Sequence, residues 1–168
     1  MLCGRSFSGK STVAGWLRDG LGGKTVSFDE INAERGLWGG DGIALAEWIA
    51  TGEIATQRVR AALALGETVI VDDTSSPRFL RDRWRSVAGD LDVSMVLVFV
   101  DTTLSTIKAR QGANRASRTR RDVTDAVMDE QLAGFEPPEP DEPKVVVSEI
   151  STEEQVVSEV EVHSRRPR

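Results

Sequence analysis

Six of the eight residues from Val93 to Val100 are Val, Leu or Phe, and from Met95 onward no polar residue interrupts the run. Such a segment is a strand with apolar neighbours on both faces, which a parallel sheet covered by helices on each side provides. Met1 to Cys3, Lys24 to Phe28, Glu67 to Val71 and Lys144 to Val147 read as four further strands, the first of them very short. Helical patterns lie between them. Val13, Trp16 and Leu17 share one face ahead of the glycines at 20, 22 and 23. Ile43–Ala50 and Glu53–Leu65 read as two helices with a break at Thr51-Gly52. Ser75-Ser76-Pro77 opens a helix that Gly89 closes, and others start near Leu104, Val123 and Thr152. Asn32 to Gly42 is glycine-rich and reads as irregular, and the prolines of 135–143 exclude regular structure there. Strands alternating with helices predict a three-layer α/β/α domain over 1–163, with a mostly parallel five-stranded sheet and a frayed tail at 164–168. A chain of 168 residues suits one such domain.

Charge and cysteine content narrow the function. Twenty-one basic residues stand against 27 acidic ones, a net charge of −6 that disfavours nucleic acid as a partner gripped by the whole surface. The distribution is uneven: six basic residues and no acid lie between Ser105 and Arg121, whereas 13 acids face only Lys144 from Asp122 to Glu161. Cys3 is the single cysteine, which excludes an intrachain disulfide and a cysteine-rich zinc site and suits a core position. The run Met95–Val100 is too short to cross a bilayer, and no basic segment leads into an apolar stretch at the start. The expectation is a reduced, cytoplasmic protein without a membrane partner.

Gly4-Arg-Ser-Phe-Ser-Gly9-Lys10-Ser11 fits the P-loop pattern G-x-x-x-x-G-K-[ST] in full. Glycines let the backbone curl so that successive N–H groups from Gly4 through Ser6, Ser8, Gly9, Lys10, Ser11 and Thr12 face one centre. The helix that follows adds its positive end. Lys10 can neutralise the β- and γ-phosphates of a nucleoside triphosphate, and the Ser11 hydroxyl can hold Mg²⁺. In a parallel sheet the residue after each strand reaches the same edge, so Asp29, Asp72, Asp73 and Asp101 gather beside this loop. Of these, Asp101 precedes a helix and reads as its N-cap. One aspartate can accept a proton from an attacking hydroxyl, another can organise the metal, and arginines can offset charge on the transferred group. The basic stretch, with a lid at about 109–122, lies where such arginines would be supplied.

With these residues in place the chain resembles the small P-loop kinases that include 5′-hydroxyl polynucleotide kinases, chloramphenicol phosphotransferase and zeta toxins. The resemblance runs through residues 4–12, Ser27-Phe-Asp29, Val-Ile-Val-Asp-Asp-Thr at 69–74, the arginine-rich stretch and Gln131-Leu-Ala-Gly-Phe-Glu-Pro-Pro138. It implies Asp29 as general base and Arg115 or Arg118 as the lid arginine; Asp72 and Asp73, with Ser11, are the candidate metal residues. It implies ATP as donor, with GTP as the alternative, and Mg²⁺. The chain departs from the polynucleotide kinases at Asn32, where they carry a substrate-binding arginine, and at Ser75, where they carry asparagine. Together with the charge, this favours a small hydroxylated acceptor such as a nucleoside, a sugar or an antibiotic-like molecule. Asp29, Asn32, Trp38 and Asp73 are the candidate acceptor residues; Trp38, like Trp48, can stack on a ring or sit in the core. Trp16 and Trp84 read as core.

A 5′-hydroxyl polynucleotide kinase is the alternative. A nucleotide-hydrolysing switch is a more distant one, since no Asn-Lys-x-Asp element for guanine is present and Asp19-Gly-Leu-Gly22 falls at the end of the first helix. A transporter-type Leu-Ser-Gly-Gly-Gln element is also missing. A nucleotide-binding module without catalysis is the remaining rival, opposed by the joint presence of Lys10, Asp29 and the arginine stretch.

Overall fold

The computed structural model describes residues 1–37, 42–117 and 123–165. Five short strands run parallel: β1 Leu2–Cys3, β2 Lys24–Ser27, β3 Val69–Asp72, β4 Val98–Val100 and β5 Val145–Val147. Around them lie α1 Lys10–Leu21, α2 Phe28–Glu34, α3 Leu45–Ala64, α4 Arg78–Asp90, α5 Leu104–Ser117, α6 Asp125–Ala133 and α7 Glu153–Ser164. Hydrogen bonds join the strands into two ladders, β1-β4-β5 and β2-β3. β1 packs beside β3, and the Gly4 amide donates to the Thr74 carbonyl at 3.2 Å just past both strand ends. The spatial order is therefore β2-β3-β1-β4-β5, the three-layer sheet expected from the alternation.

Side chains leave each strand alternately toward two helical layers. Leu2, Ile70, Val98 and Val100 pack with Val13, Leu17 of α1 and Val156, Val160 of α7 on one face. Val26 and Val71 pack with Ile31, Val59, Trp84 and Val87 of α2, α3 and α4 on the other. Each such fully buried aliphatic side chain contributes about 1.5–3 kcal/mol. Cys3 is one of these core residues, and burial pushes its thiol up to about 11. Trp84 is buried as expected, whereas Trp16 is only half-buried against the α1/α7 cluster.

Three local expectations change. The ladder of β4 covers Val98–Val100 rather than the whole apolar run, because its neighbours β1 and β5 offer only two and three residues to pair with. Phe28, expected in the second strand, and Asn32–Glu34, expected to be irregular, belong to α2, which the Ser27 hydroxyl opens by accepting from the Glu30 amide at 3.3 Å. The break at Thr51-Gly52 is absent, and α3 is continuous. The Arg83 guanidinium lies against Gly52: a Cβ there would be 2.6 Å from Nη1, and Nη2 donates to the Gly52 carbonyl at 2.7 Å.

Candidate active site

The loop from Gly4 to Gly9 is a tight turn in which two of the amides expected to face a phosphate are engaged inside the fold, Gly4 N–H with the Thr74 carbonyl at 3.2 Å and Ser8 N–H with the Arg5 carbonyl at 3.1 Å. Gly4 has no room for a side chain, since a Cβ would meet the Val100 carbonyl at 2.9 Å and Ser8 Oγ at 3.0 Å. Gly9 takes a φ of 105°, which favours glycine. Phe7 also lies in the left-handed region, at φ 61°, and its ring is pinned in a cluster with Ile107, Val123 and Met128. The Ser8 carbonyl accepts from Thr102 Oγ1 at 2.8 Å and Arg110 Nη1 at 2.6 Å, and Arg110 also reaches the Phe7 carbonyl at 3.2 Å. These bonds fix the Phe7 and Ser8 carbonyls toward Thr102 and α5 and so set the shape of the loop.

The start of α1 completes the cradle. Its N-cap is Gly9, without a side-chain cap, and no acid lies in its first turn. Helix N-termini left uncapped keep partial positive charge and free amides for an external anion. Lys10 Nζ hangs over the loop, 2.9 Å from the Arg5 carbonyl. Among the described residues Ser8 Oγ is buried without a hydrogen-bond partner. A cleft of about 530 Å³ opens beside Gly9–Val13 and continues past Thr102, Arg110 and Asn114 to Ser148 and Ser151 after β5.

The carboxylates lie along the same edge. Asp72 ends β3 in register with Ser27 of β2, so Asp73 and Asp29 follow two adjacent strands. Asp73 accepts from the Ser75 amide at 3.1 Å and Thr74 Oγ1 at 3.3 Å. Burial pushes its carboxyl above the usual range, while the Ser75 amide and the Lys10 ammonium pull it back down. Asp29 is exposed in the first turn of α2. Ser11, Asp72 and Asp73 are hard oxygen donors of the kind Mg²⁺ takes. Among the described residues no cluster of three or more His, Cys, Asp or Glu side chains forms a metal cage. Few protein ligands are what Mg²⁺ uses when it shares its shell with phosphates and water.

Asn32 is buried, its Oδ1 accepting from Thr51 Oγ1 at 2.5 Å in a network with Arg35 that joins α2 to α3. Arg115 donates to Asp125 at 2.8 Å and to the Val123 carbonyl at 3.2 Å, tying α5 to α6. Trp38 and Arg118 lie outside the described residues. Arg110 touches the phosphate loop, and sequence spacing held no signal to separate it from the other arginines of the basic stretch. The same is true of Ser6 Oγ donating to Gln131 Oε1 at 2.5 Å, which links the loop to the end of α6.

Fold and loop together define a P-loop nucleoside-triphosphate-binding domain. The chain belongs to the AAA domain family, whose pattern matches residues 1–138. Comparison with curated proteins gives no match. Among solved structures it is similar to a sugar kinase from Janibacter sp. HTCC2649, with 21% identity, a TM-score of 0.70, and 96% of this chain and 91% of that one covered. It is also similar to the Mycobacterium tuberculosis APS kinase CysC in complex with AMPPNP and APS, at 20% identity, a TM-score of 0.68, and 96% and 93% coverage. Chaetomium thermophilum Kti12 in complex with ADP-AlF3 superposes with a TM-score of 0.76 at 14% identity, covering 98% of each chain. At these identities the likeness is one of fold.

Proposed function

We propose that this chain transfers the γ-phosphoryl group of ATP to a hydroxyl of a small molecule. The observation that carries the reading is the uncapped, acid-free start of α1 behind Gly9, with the Lys10 ammonium over the loop. The sugar kinase and APS kinase likenesses support it. Loop amides and Lys10 would bind the β- and γ-phosphates, and the cleft toward Ser148 and Ser151 has room for the rest of the nucleotide, ATP or GTP. Ser11, Asp72 and Asp73 would hold Mg²⁺, which when bound neutralises charge on the phosphate oxygens.

Asp29 would act as general base. Its carboxylate takes the proton of the acceptor hydroxyl as that oxygen bonds to the γ-phosphorus. The bond from the γ-phosphorus to the bridging oxygen breaks, and ADP leaves. Arg115 and Arg118 are the proposed lid arginines within a lid at about 109–122 of a single domain, 1–163. Trp38 is a proposed acceptor contact. Asn32 would act on the acceptor side through α2, because its amide is engaged with Thr51. A small acceptor agrees with the net charge of −6 better than a polynucleotide 5′-end does. No helix of the described residues is long and apolar enough to cross a membrane.

The test is transfer of label from γ-labelled ATP or GTP, with Mg²⁺, to a panel of nucleosides, sugars, aminoglycoside-like alcohols and short 5′-hydroxyl oligonucleotides. Label on one acceptor class supports the reading and names it. Label released only as free phosphate replaces it with a hydrolytic switch.

A further inference from the structure

Arg5 follows Gly4 in the loop, yet its side chain takes no part in lining the nucleotide cleft. Its guanidinium lies over the Phe135 ring, 4.4 Å from the centroid, and Phe135 stacks on Phe99 with ring centroids 6.4 Å apart. Among the described residues no carboxylate pairs with this guanidinium, and its Nε is buried without a hydrogen-bond partner. A guanidinium keeps its charge, so one that is half-buried with no carboxylate beside it among the described residues gains strongly from an anion reaching its Nη groups. Stacking on an aromatic face fixes the plane of the group and leaves its N–H edge available.

The support under Arg5 is itself anchored. Ser6 Oγ donates to Gln131, and the Glu136 amide donates to Ser76 Oγ at 2.8 Å, so the chain on both sides of Phe135 is tied to the loop and to the turn after β3. That turn carries Asp73, and its Thr74 carbonyl accepts from Gly4 beside Arg5. Phe99 and Phe135 belong to the cluster with Cys3, on the sheet face away from α1 and α7. Arg5 is thus a rigid cation across the loop from the nucleotide cleft.

We infer that Arg5 is an anion-binding residue on the acceptor side, and that the acceptor bears a phosphate, sulfate or carboxylate near the hydroxyl that is phosphorylated. The word acceptor rests on the phosphotransferase reading; the anion site does not. The experiment has two arms. In the first, inorganic sulfate is titrated into full-length protein already saturated with ADP and Mg²⁺. Wild type should bind sulfate beside ADP, Arg5→Gln should weaken it by about tenfold or more, and Arg5→Lys should weaken it less. ADP affinity should be the same in all three, which also shows that the variants fold. No sulfate bound beside ADP, or equal sulfate binding by wild type and Arg5→Gln, overturns the inference. Loss of ADP affinity in Arg5→Gln overturns the acceptor-side placement.

The second arm compares transfer to matched acceptors, a nucleoside with its 3′-monophosphate and glucose with gluconate. Wild type should prefer a charged twin, and Arg5→Gln should lose that preference. A preference that survives in Arg5→Gln overturns the role in acceptor choice. Sulfate binding that depends on Arg5, with no transfer to any acceptor, would retain the anion site and sink the phosphotransferase reading alone.

Discussion

Lys10 and Asp29 divide the proposed chemistry between binding the donor and activating the acceptor, so their variants should fail differently. Lys10→Ala should lower turnover by about 10²–10³-fold or more, as loss of a preorganised charge does, with the melting temperature of the free protein retained. Asp29→Asn should lower turnover by about 10²–10⁴-fold, the usual weight of a general base, at unchanged ADP affinity. Steady-state rates and calorimetric ADP binding read the two apart. Asp73 makes a prediction in pH. Burial holds its carboxyl above the unfolded value, so the folded chain keeps the proton longer, and stability falls as pH rises from the unfolded pKa through the folded one. Asp73→Asn removes that penalty while keeping an oxygen for the Ser75 amide. It should melt higher than wild type at pH 7 without nucleotide, with little difference well below pH 4, and lose Mg²⁺-dependent turnover. A lower melting temperature at pH 7 would contradict this account of Asp73.

The elements set how closely these residues can be brought together, and the tightest junction is between α1 and β2. A Cβ at Gly23 would lie 2.5 Å from Ile70 Cδ1 and 2.9 Å from the Thr68 carbonyl, a backbone atom that cannot step aside. Gly23→Ala should therefore cost about 1–3 kcal/mol, seen as a lower urea midpoint at unchanged slope. Much of this level was legible beforehand. Apolar runs located all five strands, and the loop pattern fixed where β1 ends and α1 begins, because those signals are local and periodic. What escaped was tertiary. Gly52 reads as a helix break until Arg83 is seen lying against it, and Asn32 reads as an acceptor contact until Thr51 is seen holding it. Arg110 is indistinguishable from Arg115 by type or pattern; only the packing of α5 turns one toward the Phe7 and Ser8 carbonyls and the other toward Asp125.

At the scale of the whole molecule, a buried ion pair joins α4 and the turn after β3 to the proline-rich segment. Arg81 and Glu142 are fully buried; Arg81 donates to both Glu142 oxygens at 2.8–2.9 Å, to the Ser75 carbonyl at 3.0 Å and to the Glu136 carbonyl at 3.0 Å. The proline-rich segment is thereby clamped against α4 and the turn that carries Asp73. Arg81, aided by the Glu139 amide and Arg85, holds the Glu142 carboxyl well below the usual carboxylate range. Its stabilisation is accordingly present above the unfolded pKa and is lost only as pH falls toward the lowered folded value. Glu142→Gln leaves a buried cation half-paired and should cost about 3–5 kcal/mol at pH 7, with the deficit shrinking in strong acid. Equal urea midpoints for the two proteins at pH 7 would show that the clamp does not stabilise the fold.

The most direct test of the central claim is the fate of the γ-phosphate in wild type and Asp29→Asn, followed with γ-labelled ATP, Mg²⁺ and the acceptor panel. The account predicts label on a small hydroxylated acceptor with wild type, and its near-complete loss with Asp29→Asn at unchanged ADP affinity. Label appearing only as free phosphate, at the same rate in both proteins, would contradict it.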